Sequence, residues 1–122
     1  MMKQVLIVDD SPIVRKYAKR ILEEMSFSTR DASDGQMALQ ACSLTMPDAI
    51  LLDWHMPVLD GFGFLQSLRK MPNGSHPKVV FCTSENNTES IARAMSAGAN
   101  EFIMKPFDKI IMQSKFEGIG LI

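Results

Sequence analysis

Val5-Leu6-Ile7-Val8 is an unbroken apolar run, rich in β-branched residues, that stops at the carboxylate pair Asp9-Asp10. A strand without polar alternation must be buried on both faces, and a parallel sheet covered by helices on both sides meets that condition. The unit recurs. Ala49-Ile50-Leu51-Leu52 stops at Asp53, Val79-Val80-Phe81-Cys82 at Thr83-Ser84, and Glu101 to Met104 at Lys105-Pro106. Phe27 to Ala32 is a weaker strand candidate.

Helical patterns separate these runs. Ser11-Pro12 offers an N-cap hydroxyl and a proline for the first helical position. Ile13, Val14, Tyr17, Ala18, Ile21, Leu22 and Met25 then mark one apolar face. Arg15, Lys16, Lys19, Arg20, Glu23 and Glu24 fill the opposite side, which reads as solvated because the signs interleave. Further helices follow Asp34-Gly35 (with Met37, Ala38, Ala41 and Cys42) and Asp60-Gly61 (with Phe64, Leu65, Leu68 and Met71). Another spans Thr88 to Ala97 and is closed by Gly98. Asp108 caps a last one through about Phe116. Five strands alternating with five helices predict an α/β fold with a five-stranded parallel sheet and helices on both faces.

At 122 residues the chain is expected to form one domain, 1–122, with no second module. Its net charge of −1 excludes broad electrostatic capture of nucleic acid or an anionic membrane. No apolar run approaches transmembrane length, and the N-terminal one is too short for a signal peptide. Cys42 and Cys82 lie in apolar segments and read as buried thiols of a cytoplasmic protein. Most of the ten methionines fall at core spacing and read as adaptable filler.

In a sheet of this kind ligands bind beyond the carboxyl ends of the strands. Those ends carry Asp9, Asp10, Asp53, Thr83 and Lys105. Two carboxylates about 5 Å apart at an effective dielectric of about 20 repel by on the order of 3 kcal/mol. Either a proton is retained or a hard divalent cation sits among them, and an all-oxygen donor set suits Mg²⁺. A lysine and a threonine beside it can bind phosphoryl oxygens. The constellation therefore describes acceptance of a phosphoryl group by an aspartate nucleophile.

Asp9-Asp10, Asp53 followed by Met56-Pro57 and Asp60-Gly61, Thr83, and Lys105-Pro106-Phe107 resemble the receiver domain of two-component response regulators. The resemblance runs from Lys3 to the C-terminal helix, and the stretch Leu52 to Pro57 is similar to the stand-alone chemotaxis members. It implies the flavodoxin-like strand order 2-1-3-4-5. It implies Asp53 as phosphoacceptor, with Mg²⁺ held by Asp10, Asp53 and the His55 backbone carbonyl, and by Asp9 mainly through water. Lys105 would contact the phosphoryl group, Thr83 would be the switch hydroxyl, and Phe102 the switch aromatic. The implied output face includes Ile91, Met95 and Phe102. The Lys105-Pro106 peptide is often cis in the family.

The resemblance further implies a non-enzymatic, monomeric phosphoacceptor without an output domain, binding neither nucleic acid nor membrane. Its implied partners are a histidine kinase and a flagellar motor switch protein or other downstream protein, with a possible phosphatase. A phosphate sink or relay intermediate, exchanging with a histidine phosphotransfer protein, is the alternative. A haloacid-dehalogenase-type phosphatase would want a second acid where His55 stands, and an FMN binder would want a glycine- and hydroxyl-rich loop where Asp9-Asp10 stand. Trp54 reads as a packing residue and Ser84 as a tolerated variation. His55 and Glu85 are expected to tune dephosphorylation, and Asn86-Asn87 to make a polar, mobile loop.

Overall fold

The structure, a computed structural model, describes residues 2–84 and 88–122. The strands are β1 (Gln4–Val8), β2 (Ser28–Ala32), β3 (Ala49–Asp53), β4 (Lys78–Thr83) and β5 (Glu101–Met104). The helices are α1 (Pro12–Glu24), α2 (Gly35–Leu44), α3 (Gly61–Lys70), α4 (Thr88–Ser96) and α5 (Lys109–Gly118). All strand pairs are parallel and the order is β2-β1-β3-β4-β5. The sheet expected from the sequence is thus observed.

Alternation within each buried strand divides the core in two. Val5, Ile7, Leu51, Val80, Cys82 and Ile103 face α1 and α5, meeting Ala18, Leu22, Met112 and Phe116. Leu6, Val8, Ile50, Leu52, Val79 and Phe81 face the other way, meeting Ala38, Phe64, Leu65, Leu68 and Ala94 from α2, α3 and α4. Each fully buried aliphatic side chain contributes about 1.5–3 kcal/mol. β2 is the polar edge strand, and of its residues only Ala32 is buried.

Local chemistry sets the helix starts. Ser11, Asp34, Asp60 and Asp108 accept from the backbone N–H groups of Val14, Met37, Gly63 and Ile111. Gly98, with φ 113°, follows the end of α4. Both cysteines are free and buried. Burial pushes the Cys42 thiol up to about 11, and it raises Cys82 as well, so neither is a reactive thiolate at neutral pH.

Four details depart from the sequence reading. Ile13, placed on the apolar face of α1, is 80% exposed, because it lies in line with exposed Tyr17, Arg20 and Glu24 rather than with buried Ala18 and Leu22. Met37 is also exposed. Among the described methionines only Met112 is fully buried; Met25, Met46, Met56 and Met71 pack at the periphery of the core. Arg15, assigned to the solvated face, folds back onto the end of β1 with its side chain only 18% exposed.

Candidate phosphoacceptor site

The register of the three central strands brings their C-terminal residues to one rim. Asp9 follows β1, Asp53 ends β3 and Thr83 ends β4. Carboxylate oxygens of Asp9, Asp10 and Asp53 lie within 4.8 Å of one another. Asp9, Asp53 and Thr83 are buried, while Asp10 is exposed at the mouth. Lys105, just beyond β5, reaches in: its Nζ donates to Asp9 Oδ2 at 2.8 Å and to Asp53 Oδ1 at 3.1 Å. Its backbone N–H donates to the Thr83 carbonyl at 2.8 Å, which ties the lysine loop to the end of β4. The Lys105-Pro106 peptide is cis.

The carboxylates are held unequally. Asp9 Oδ1 accepts from the Ser11 N–H at 2.9 Å, and Asp53 Oδ1 accepts from the Trp54 N–H at 3.0 Å. Among the described residues no hydrogen bond reaches Asp53 Oδ2 or the Asp10 carboxylate. Burial raises the Asp53 carboxyl above its ordinary range; repulsion from Asp9 and, more weakly, Asp10 adds to this, and Lys105 opposes it. Burial pulls the Lys105 ammonium down, but its hydrogen bond to Asp9 and the attraction of Asp53 and Asp9 outweigh that, leaving it raised.

Gly61 allows α3 to begin against this rim. Its N–H donates to the Trp54 carbonyl at 3.0 Å, and a Cβ there would lie 2.6 Å from the Asp53 carbonyl oxygen. Trp54 is buried, with its ring against Phe81 at 4.5 Å and Phe62 at 5.8 Å, a packing role as read from the sequence. The His55 side chain is exposed.

The carboxylates fit a divalent cation. One Mg²⁺ holds oxygens roughly 3–4 Å apart, given a metal–oxygen length of about 2.1 Å. The cluster is near that spacing, and among the described residues nothing holds the Asp10 carboxylate. Three carboxylates against one ammonium leave two negative charges uncompensated when all are ionised.

Ile91, Met95 and Phe102 lie away from the acids. Ile91 and Phe102 are partly buried against the α2/α3/α4 side of the core, and Met95, one turn from Ile91, is 41% exposed. The outer side of the Phe102 ring meets Lys115 Nζ, 4.5 Å from its centroid, and Lys115 also pairs with Glu101 at 3.4 Å. Glu85, Asn86 and Asn87 lie outside the described residues.

Two contributors escaped the sequence reading. Tyr17, read as apolar, donates its hydroxyl to the Phe107 carbonyl at 2.7 Å, bracing the lysine loop from α1. Arg15 donates to the Asp9 carbonyl at 2.7 Å. Neither has a sequence signal, since both contacts are made to main-chain oxygens that any residue supplies.

The response regulator receiver domain family matches residues 5–117. The chain is 36% identical over 109 residues to the chemotaxis protein CheY of Halobacterium salinarum, covering 89% of each chain. The Vibrio cholerae chemotaxis protein CheY4 superposes with a TM-score of 0.92 at 27% identity, over 98% of this chain and 99% of that one. The receiver domain of a sensor histidine kinase from Pseudomonas aeruginosa, solved with a magnesium ion coordinated in the active-site cleft, superposes with a TM-score of 0.86 at 25% identity, over 93% of each chain. Receiver domains are phosphoacceptor signalling domains rather than turnover enzymes, and they interact with histidine kinases and downstream targets. Family match, relatives and strand order agree that this chain belongs to the response regulator receiver domains.

Proposed function

We propose that the chain is a stand-alone, cytoplasmic, monomeric response regulator. A histidine kinase would phosphorylate it on Asp53, and the modified protein would signal by binding a partner, most directly a flagellar motor switch protein in chemotaxis. One observation carries the reading. A buried aspartate, with one oxygen held and the other unbonded among the described residues, lies beside a lysine and two further carboxylates at the carboxyl edge of a parallel sheet. The single-domain part is supported by the coverage of 89% of the chemotaxis relative's own length.

In this reading Asp53 Oδ2 attacks the phosphorus of a phosphohistidine. The new O–P bond forms as the P–N bond breaks, and the imidazole leaves with its electron pair and takes a proton from solvent. Lys105 and the Trp54 N–H hold Oδ1 and so aim the carboxylate. Asp9, Asp10, Asp53 and the His55 carbonyl would hold Mg²⁺, which when bound neutralises phosphoryl charge. Lys105 then exchanges Asp53 for a phosphoryl oxygen, and Thr83 donates its hydroxyl to another. The space this opens behind Thr83 is filled by inward rotation of Phe102, which leaves Lys115 and reshapes the surface near Ile91 and Met95. Hydrolysis of the acyl phosphate resets the protein, at a rate tuned by His55 and Glu85.

Incubation with a small phosphodonor and Mg²⁺, followed by intact mass, tests the first step. One base-labile phosphoryl group is expected on wild type and none on Asp53→Asn; stoichiometric labelling of that variant elsewhere would refute the assignment. The second step is read as affinity for a motor switch protein with and without beryllofluoride. Thr83→Ala should accept phosphate yet lose the activation-dependent gain. Wild type that transfers phosphate to a histidine phosphotransfer protein, yet gains no affinity for the motor protein, would instead be a phosphate sink or relay.

A further inference from the structure

We infer that Arg15 is a positioning residue for the acidic pocket, acting through the Asp9 main chain to place Asp10. The inference rests on the reading of that pocket as a Mg²⁺ site. Asp9 is held on every side: its N–H donates to the Ala32 carbonyl, and its carboxylate accepts from Ser11 and Lys105. Its carbonyl oxygen is the acceptor for Arg15 Nη1 at 2.7 Å. That oxygen belongs to the planar peptide joining Asp9 to Asp10, so fixing it fixes the backbone from which Asp10 projects. The Asp10 carboxylate has no hydrogen bond of its own among the described residues. Its placement is therefore inherited from this peptide.

Arg15 is itself anchored. Its Nε donates to Asp31 Oδ2, on edge strand β2, at 3.1 Å. The chain Asp31–Arg15–Asp9 carbonyl thus runs from the sheet edge to the pocket. The Arg15 charge works against metal binding, because a cation beside a divalent-cation site repels the ligand and already offsets part of the pocket's negative charge. A purely electrostatic role would therefore make Arg15 an inhibitor of metal binding. A positioning role makes it a promoter. The two carry opposite signs.

The test measures Mg²⁺ affinity by Trp54 fluorescence and calorimetry for wild type, Arg15→Met, Arg15→Lys, Asp31→Asn and the Met/Asn double variant, with urea midpoints in EDTA for each. Arg15→Met should weaken Mg²⁺ binding about tenfold, the scale of outer-shell losses. Arg15→Lys, which keeps a donor and the charge, should recover most of that loss. Asp31→Asn should cost about threefold alone and nothing further in the Arg15→Met background, because it acts through the arginine. If Arg15→Met does not fold, Arg15→Gln replaces it in the same cycle. Binding by the arginine variant equal to or tighter than wild type would overturn the inference, as would additive effects of the two substitutions. A wild type that binds no Mg²⁺ would overturn the metal reading itself and this inference with it.

Discussion

Lys105 and Asp9 are 96 positions apart in sequence and 2.8 Å apart in the fold. The contact joins the loop after β5 to the end of β1 across β4 and β3, which carries Asp53, so one ammonium bridges the two buried carboxylates. Removing it leaves them facing each other. Lys105→Met should lower stability in EDTA by about 2–4 kcal/mol, toward the cost of orphaning a buried charge. Saturating Mg²⁺ should restore most of it, since a ligand of the native state alone stabilises by mass action. Urea unfolding with and without Mg²⁺ measures both; equal losses in the two conditions would show that the lysine does not serve as the pocket's counter-ion.

Asp53 should cost the apo fold stability. Its native carboxyl is raised above the unfolded value, so in the pH window between the two the native state binds more protons, and stability falls as pH rises through it. The cost is complete above the raised native value and absent below the ordinary carboxylate range near about 4. In EDTA at pH 7.5, Asp53→Asn should therefore be more stable than wild type, and the advantage should shrink as pH falls. Paired urea titrations across pH would show it.

Arg69, at the C-terminal end of α3, donates to the carbonyls of Gly74, Pro77 and Gly98 and to the Asn100 side chain. It thereby ties the α3–β4 loop to the end of α4. Arg69→Met leaves those acceptors without their donor and should destabilise by about 2–4 kcal/mol. Arg69→Lys should rescue little, because one ammonium cannot span the fork. Thermal unfolding would test the pair.

Val58 is 82% exposed and sits at φ 69° in the loop after β3, where the Leu59 N–H donates to the Pro57 carbonyl at 2.7 Å. A β-branched residue in left-handed backbone is strained. Val58→Asn or Val58→Gly should stabilise by about 1 kcal/mol, since the strain is relieved and little packing depends on a side chain so exposed. An unchanged or lower urea midpoint in both would contradict that account.

The class of fold and the identity of the pocket residues were legible in the chain for one physical reason. A strand buried on both faces must be apolar along its length, so its last residue is marked by the change to Asp9, Asp53, Thr83 or Lys105. The helix starts were legible because a cap is local chemistry, written at Ser11, Asp34, Asp60 and Asp108. The strand order came with the family resemblance, since hydropathy does not encode which strands are neighbours. What only the tertiary structure decided are contacts to groups that every residue carries and long-range electrostatics. Arg15 reads as a surface cation until β1 and β2 place the Asp9 carbonyl and Asp31 on either side of it. Tyr17 reads as apolar until the loop after β5 brings the Phe107 carbonyl to its hydroxyl, and Ile13 reads as core until the helix docks through Ala18 and Leu22 and leaves it uncovered. Which Asp53 oxygen is held is fixed by Lys105 and the Trp54 N–H together, a geometry that exists only after β3 and β5 share a sheet.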